Sequence, residues 1–274
     1  MSAAMTHDYL TDYRSHDWTG LQLAFDGHVA VVTLSNPPAN TWTVHSLAAL
    51  RDLVRALDAD RDVYALVVTG EGEKFFSAGA DLKQFADGDK ALAREAARRF
   101  GEAFETLSAF RGVSIAAING YAMGGGLECA LACDLRIAEE QAQLALPEAG
   151  VGLLPCAGGT QNLPRLVGEG WAKRMILLGE RVDAPTALRI GLVEEVVPKG
   201  EAKARALAWA AQAGKQSPTS VAACKRLVQA TRTHTHVAAL VAEREAFVDL
   251  FDSADQAEGV HAFLEKRAAQ WKNA

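Results

Sequence analysis

Residues 119–138 read NGYAMGGGLECALACDLRIA. They follow Ser114 to Ile118 (SIAAI), a short apolar run with the character of a buried strand. Asn119-Gly120 and the Gly124-Gly125-Gly126 run make a tight, small-residue turn, and Leu127 to Cys133 then has helical character. Leu135 to Ala138 returns to strand. Strand, glycine turn, helix and strand in this order predict an α/β fold in which helices cover a sheet. The turn matters chemically as well. A helix that opens on glycines presents free backbone N–H groups, and the helix dipole favours negative charge there.

Upstream, a second glycine-bearing loop has the same design. Phe75 to Lys83 (FFSAGADLK) follows the apolar run Tyr64 to Thr69, which Gly70 ends. Two such turns side by side supply two converging N–H donors, the requirement for an oxyanion hole. Neither loop is a G-x-G-x-x-G dinucleotide turn with its acidic partner, and no G-K-[ST] follows either one. Nucleotide phosphate binding by those two modes is excluded.

Further outward, His28 to Leu34 (HVAVVTL) is rich in β-branched residues and reads as a strand, with Asp26-Gly27 as a hairpin turn. Asn36-Pro37-Pro38 stops it. Thr43 to Leu57 carries Val44, Leu47, Leu50, Val54 and Leu57 at helical spacing. Lys90 to Phe110 reads as helix, and Leu144 to Leu146 as a short strand. Past Val197-Pro198 the pattern changes to helix after helix, with breaks near Gly214, Ser217-Pro218, Ser253 and Gly259. The reading is an N-terminal extension over 1–19, a core over 20–198 and a helical segment over 199–274. No linker separates that last segment, which covers the core or makes subunit contacts rather than forming an independent domain.

Composition narrows the function. The 274 residues are 49% hydrophobic and 23% charged, with a formal charge of −6, as expected of an ordinary globular protein. An acidic chain with a pI near 5.7 is not a nucleic-acid coat or a membrane-surface binder, so an anionic ligand would need a local basic patch. Four cysteines, Cys129, Cys133, Cys156 and Cys224, make no C-x-x-C pair. Cys129 and Cys133 share one helix face as buried thiols. The seven histidines show no H-x-x-x-H pattern, so no metal site is expected. No apolar run approaches the roughly 20 residues of a membrane span. The first eighteen residues hold Asp8, Asp12 and Asp17 against Arg14, unlike a signal or transit peptide. The expectation is a soluble protein of a reducing cytoplasm.

Two carboxylates stand out. Glu128 lies at the start of the helix after the glycine turn, and Glu148 lies 20 residues on in LPEAGVG, an apolar, glycine-rich setting. Brought together they repel, and one tends to keep a proton. A carboxylate and a carboxylic acid sharing one water take a proton from it and deliver one elsewhere. Addition of water to a double bond needs that pair of steps.

The chain resembles the crotonase (enoyl-CoA hydratase/isomerase) superfamily. The resemblance rests on FFSAGADLKQF (75–85), NGYAMGGGLECALACDLRIA (119–138), LPEAGVGLLPCAGGTQNLPRLVG (146–168) and DSADQAEGVHAFLEKR (252–267), and it spans about residues 20 to 272. It implies the ClpP/crotonase-like α/β fold: repeated ββα units forming two sheets, followed by a helical C-terminal segment. It also implies that the backbone N–H groups of Ala80 and Gly125 form the oxyanion hole for a thioester carbonyl. Glu128 and Glu148 match the family's catalytic glutamates, and Ala80, Asp81, Leu82 and Lys83 match the segment lining the acyl-CoA site. Lys266 matches a lysine that meets coenzyme A phosphates, often from a neighbouring subunit, and so provides the basic patch. Asp81 reads as a helix cap, Asp134 as a local hydrogen-bonding residue and Thr160 as a cap for the next helix. Cys156 departs from the glycine of many hydratases, whose N–H helps hold the water; it keeps the N–H but is less free at positive φ. The expected activity is enoyl-CoA hydratase, a hydro-lyase adding water to 2-trans-enoyl-CoA. Two other readings stand beside it: Δ3,Δ2-enoyl-CoA isomerase or another crotonase reaction, and a weakly catalytic acyl-CoA-binding subunit. The coenzyme A thioester is the substrate and no separate cofactor is implied. The family's habit implies a homotrimer or homohexamer.

Overall fold

The computed structural model describes residues 12–274. Residues 1–11, most of the expected N-terminal extension, lie outside the described residues. Two antiparallel strands, β1 (Leu21–Asp26) and β2 (Val29–Leu34), form the expected hairpin, with Asp26 opposite Val29. Helix α1 (Val44–Ala59) follows; Thr43 caps it, its side chain accepting from Ser46 N while the Ser46 side chain accepts from Thr43 N.

From Ala65 to Leu177 the chain repeats one plan, a long strand, a short strand and a helix. The first unit is β3 (Ala65–Gly70), β4 (Phe75–Ser77) and α2 (Lys90–Ala109). The second is β5 (Val113–Ile118), β6 (Tyr121–Met123) and α3 (Gly125–Ala132). The third is β7 (Leu135–Glu139), β8 (Gln143–Ala145) and α4 (Gly159–Leu177). These are the expected ββα units. Then come β9 (Val182–Asp183), α5 (Ala184–Arg189) and β10 (Glu195–Val197). The long strands build a six-stranded sheet in the order β1-β2-β3-β5-β7-β10, and the short ones a four-stranded sheet, β4-β6-β8-β9.

The C-terminal segment comprises α6 (Ala202–Ala213), α7 (Pro218–Ala230), α8 (His236–Asp249) and α9 (Ala254–Leu264). Ser217 and Ser253 cap α7 and α9, so both serines mark real breaks. Gly259 does not: it sits inside α9, against the indole of Trp271. The break before α8 falls at Thr235, whose hydroxyl caps that helix.

The large sheet is covered on both sides, which explains why its central strands are apolar throughout rather than alternating. Val29, Val31, Val67 and Ile115 face α6, where Ala202, Ala206 and Ala210 recur every fourth residue and let the helix approach closely. Ala30, Val32, Leu66 and Val68 belong to the other core, with Leu50, Leu53, Phe104 and Leu107 of α1 and α2. Tyr13 and Trp18, ahead of β1, pack into this second core. Leu53 is fully buried, and truncation of such a residue to alanine costs about 2–5 kcal/mol. Among the described residues no helix is long and apolar enough to cross a membrane.

Candidate active site

The small sheet positions the chemistry. Strands β4, β6 and β8 are parallel neighbours, so their C-terminal ends lie side by side. Ala80, Gly125 and Glu148 each stand two or three residues past one of those ends. Glu128 is one turn into α3. A cavity of about 690 Å³ opens there, lined by Ala80, Gly125, Glu128, Glu148 and Cys156 and walled by apolar side chains that include Leu82, Phe85 and Phe100. The strand-end position follows the general rule that parallel sheets bind ligands at the carboxyl ends of their strands.

The first donor comes from an extended segment. Ala39 to Trp42 runs beside Ser77 to Asp81: Ala78 N donates to Ala39 O at 2.9 Å, Trp42 N to Gly79 O at 2.8 Å, and Asp81 N to Trp42 O at 3.2 Å. In a parallel bridge the bonds to Trp42 flank Ala80, so the Ala80 N–H points the other way. The second donor is Gly125 N, at the first position of α3, where no intrahelical carbonyl is available. The two lie close together: a Cβ on Gly79 would stand 3.2 Å from Gly125 N and 2.7 Å from Met123 O. Gly79 also has φ of 90°, so glycine is required there on both counts.

The two glutamates are held differently. Glu128 is 2% exposed, and its Oε1 accepts from Ala157 N and Gly159 N, both at 2.8 Å. Gly159 opens α4, so the free N–H groups of that helix start orient the carboxylate. The N-cap is Gly158, with φ of 99° and no side-chain cap; Thr160 does not cap the helix, and the sequence expectation is corrected there. The pKa of Glu128 is raised by burial, against the opposing effect of the Gly159, Ala157 and Cys156 N–H groups. Glu148 opens a 3-10 turn (Glu148–Val151) and is half-buried. Burial first, and then the charge of Glu128, push its pKa up to about 7. Its Oε2 is buried with no hydrogen-bond partner among the described residues. The pair therefore holds a proton near neutral pH, one carboxylate pinned by backbone donors and the other with an oxygen free.

Of the other expected site residues, Leu82 and Cys156 line the cavity, while Asp81 and Lys83 do not. Asp81 caps the 3-10 turn Leu82–Phe85, accepting from Lys83 N at 3.1 Å, and Lys83 is exposed. Lys266 is exposed just beyond α9, at φ of 57°, and is not part of the cavity wall of its own chain. Cys156 is not at positive φ, so cysteine carries no backbone strain there. Burial, with the charges of Glu128 and Glu148, pushes its thiol up to about 11, which keeps it a neutral thiol. Cys129, in α3, and Cys133, its C-cap, are buried, as expected. Asp134 does more than bond locally. It accepts from Ser114 N at 2.8 Å and from Lys225 Nζ of α7 at 2.7 Å, tying the C-terminal segment to the core. Ala157 and Gly159 were not foreseen as anchors, because a backbone N–H leaves no mark on residue type.

A sequence profile described as enoyl-CoA hydratase/isomerase matches residues 24–274. The short-chain-enoyl-CoA hydratase of Clostridium acetobutylicum is 37% identical over 243 residues, 88% of this chain and 93% of that protein. A solved structure of DspI from Pseudomonas aeruginosa is 66% identical, with a TM-score of 0.92 over 94% of this chain and 99% of the other. An enoyl-CoA hydratase structure from Bacillus anthracis is 35% identical, with a TM-score of 0.89 over 93% of this chain and 100% of that one. With two sheets of ββα units and paired glutamates beside two free N–H donors, the chain belongs to the enoyl-CoA hydratase/isomerase family of crotonase-fold enzymes.

Proposed function

We propose that this protein is an enoyl-CoA hydratase, adding water across a 2-trans-enoyl-CoA to give a 3-hydroxyacyl-CoA. The observation that carries the reading is the meeting of Glu128 and Glu148 in one cavity with the N–H groups of Ala80 and Gly125. The thioester carbonyl sits between those two donors, which stabilise the enolate-like charge as it develops. Glu128, oriented by Ala157 N and Gly159 N, takes a proton from water, and the hydroxyl adds to C3. Glu148, with its pKa near 7, delivers a proton to C2. The water supplies both the hydroxyl on C3 and the proton left on Glu128, so the pair ends with one proton, as it began. No cofactor beyond the thioester substrate enters these steps.

The hydratase-named relatives support this reading over isomerisation, for which one base suffices. Exposed aromatic residues on the C-terminal helices, Phe247 at 64%, Phe251 at 59% and Phe263 at 83%, support assembly as a homotrimer or homohexamer. The coenzyme A phosphates then meet Lys266, in the manner the family resemblance implies. The test is absorbance with crotonyl-CoA: hydration removes the conjugated enoyl band. If the band persists with crotonyl-CoA but grows when a 3-enoyl-CoA is supplied, the enzyme is an isomerase. If neither changes and the thioester still binds, it is an acyl-CoA-binding subunit.

A further inference from the structure

We infer that Trp42 is a positioning residue that holds the two halves of the oxyanion hole in register. The inference rests on the oxyanion reading above, and its test separates the two. Trp42 touches both donor loops. Its main chain brackets Ala80, through Trp42 N to Gly79 O and Asp81 N to Trp42 O. Its indole reaches the other donor: Trp42 Cδ1 lies 3.6 Å from the position a Cβ on Gly125 would take. Phe100 Cε1 stands 2.8 Å from the same point. Phe104 links the two rings, edge to face with Trp42 at 5.5 Å and with Phe100 at 5.7 Å between centroids. The indole and the Phe100 ring thus form a rigid floor under Gly125, while the backbone of Trp42 fixes Ala80.

A second observation concerns the indole nitrogen. Trp42 is 2% exposed, and its Nε1 has no hydrogen-bond partner among the described residues. A buried donor left unpaired is destabilising. Phenylalanine removes that donor but leaves the space of the second indole ring empty, so its two effects on stability oppose one another. What the smaller ring gives up is the Cδ1 edge against Gly125.

The backbone bonds survive any replacement except proline, so Trp42→Phe and Trp42→Leu change the ring and its packing while keeping the main-chain bonds to the Ala80 loop. Two readouts decide. One is kcat and KM with crotonyl-CoA. The other is the red shift of 4-dimethylaminocinnamoyl-CoA on binding, which reports polarisation of the thioester carbonyl by the two N–H donors. Trp42→Leu is expected to lose roughly 10- to 100-fold in kcat with little change in KM, as small misplacements of catalytic groups do. Its red shift should shrink in parallel. Trp42→Phe should show a smaller loss in both, and a fall in kcat and red shift at unchanged KM in a variant that stays folded and assembled is a combination that a merely structural residue does not produce. Should Trp42→Leu fail to fold, Trp42→Phe decides. Wild-type kcat and a full red shift in the folded variants overturn the role of Trp42 and leave the oxyanion hole standing. Absence of a red shift in the wild type overturns the oxyanion reading and this inference with it.

Discussion

Gly79→Ala tests the donor geometry without touching any side chain of the site. The added Cβ would stand 2.7 Å from Met123 O, where ordinary contact begins at 3.4 Å. The Ala80 and Gly125 loops must therefore part by about 0.7 Å. Oxyanion donors act at roughly 2.7–3.1 Å from the charged oxygen, so a gap of that size takes one of them out of range. Loss of one donor costs about 10²–10³ in kcat. Alanine at φ of 90° adds backbone strain, which costs roughly 1–2 kcal/mol of stability. For a protein of this size that lowers Tm by only a few degrees, so the variant should still fold. The assay is hydration of crotonyl-CoA at saturation, after the assembly state has been checked. A folded Gly79→Ala enzyme with wild-type kcat would show that the two N–H groups do not act together on the carbonyl.

Four further predictions concern the carboxylates and the phosphate contact. Glu128→Ala should abolish most hydration yet leave some exchange of the C2 proton, seen as deuterium uptake by NMR, whereas Glu148→Gln should suppress both by about 10²–10⁴; near-normal hydration by Glu148→Gln would reduce Glu148 to a buried structural acid. Because Glu148 titrates near 7, kcat/KM for hydration should fall as pH rises through that value and the pair loses its proton, and dehydration, which consumes no net proton, should follow the same limb. The same raised pKa is stabilising below the unfolded carboxylate range and lost as pH rises through about 7, so Glu148→Gln should raise Tm at pH 8 and leave it unchanged at pH 4, read by thermal melts. Lys266→Ala should raise KM more than it lowers kcat and flatten the dependence of KM on salt; an unchanged KM places the coenzyme A phosphates elsewhere.

The long elements were legible because burial writes itself into residue type. The strand reading of 28–34 and the helix over 43–57 match β2 and α1 to within two residues at each end. Strands β4 and β6 have three residues each, too few for any periodicity to register, and β8, equally short, was legible only as the apolar run Leu144 to Leu146, yet the three bring Ala80, Gly125 and Glu148 together. Their loops were visible only as glycine-bearing turns. Glu128 and Glu148 stood out as charges among apolar neighbours. Their unequal holding was invisible, because Ala157 and Gly159 act through peptide N–H groups. Thr160 looked like a cap by its type, whereas Glu128 already occupies the helix start that a cap would serve. Gly259 looked like a break because only packing against Trp271 explains a glycine inside α9.

On the proposed reading, the groups that hold charge in this cavity, Ala80, Gly125, Ala157 and Gly159, all act through main-chain N–H donors. A side-chain substitution at Ala80 or Ala157 leaves the donor in place, and only proline deletes it. The cavity wall, by contrast, is built from Leu82, Phe85, Ala93, Ala97 and other side chains that take no part in the chemistry. Mutation can therefore reshape the wall while the reaction persists, and drift toward a new acyl group need not pass through an inactive ancestor. Ala93 and Ala97, one turn apart on α2, are where that divergence is least constrained, since a larger residue at either fills open cavity and displaces nothing in the core.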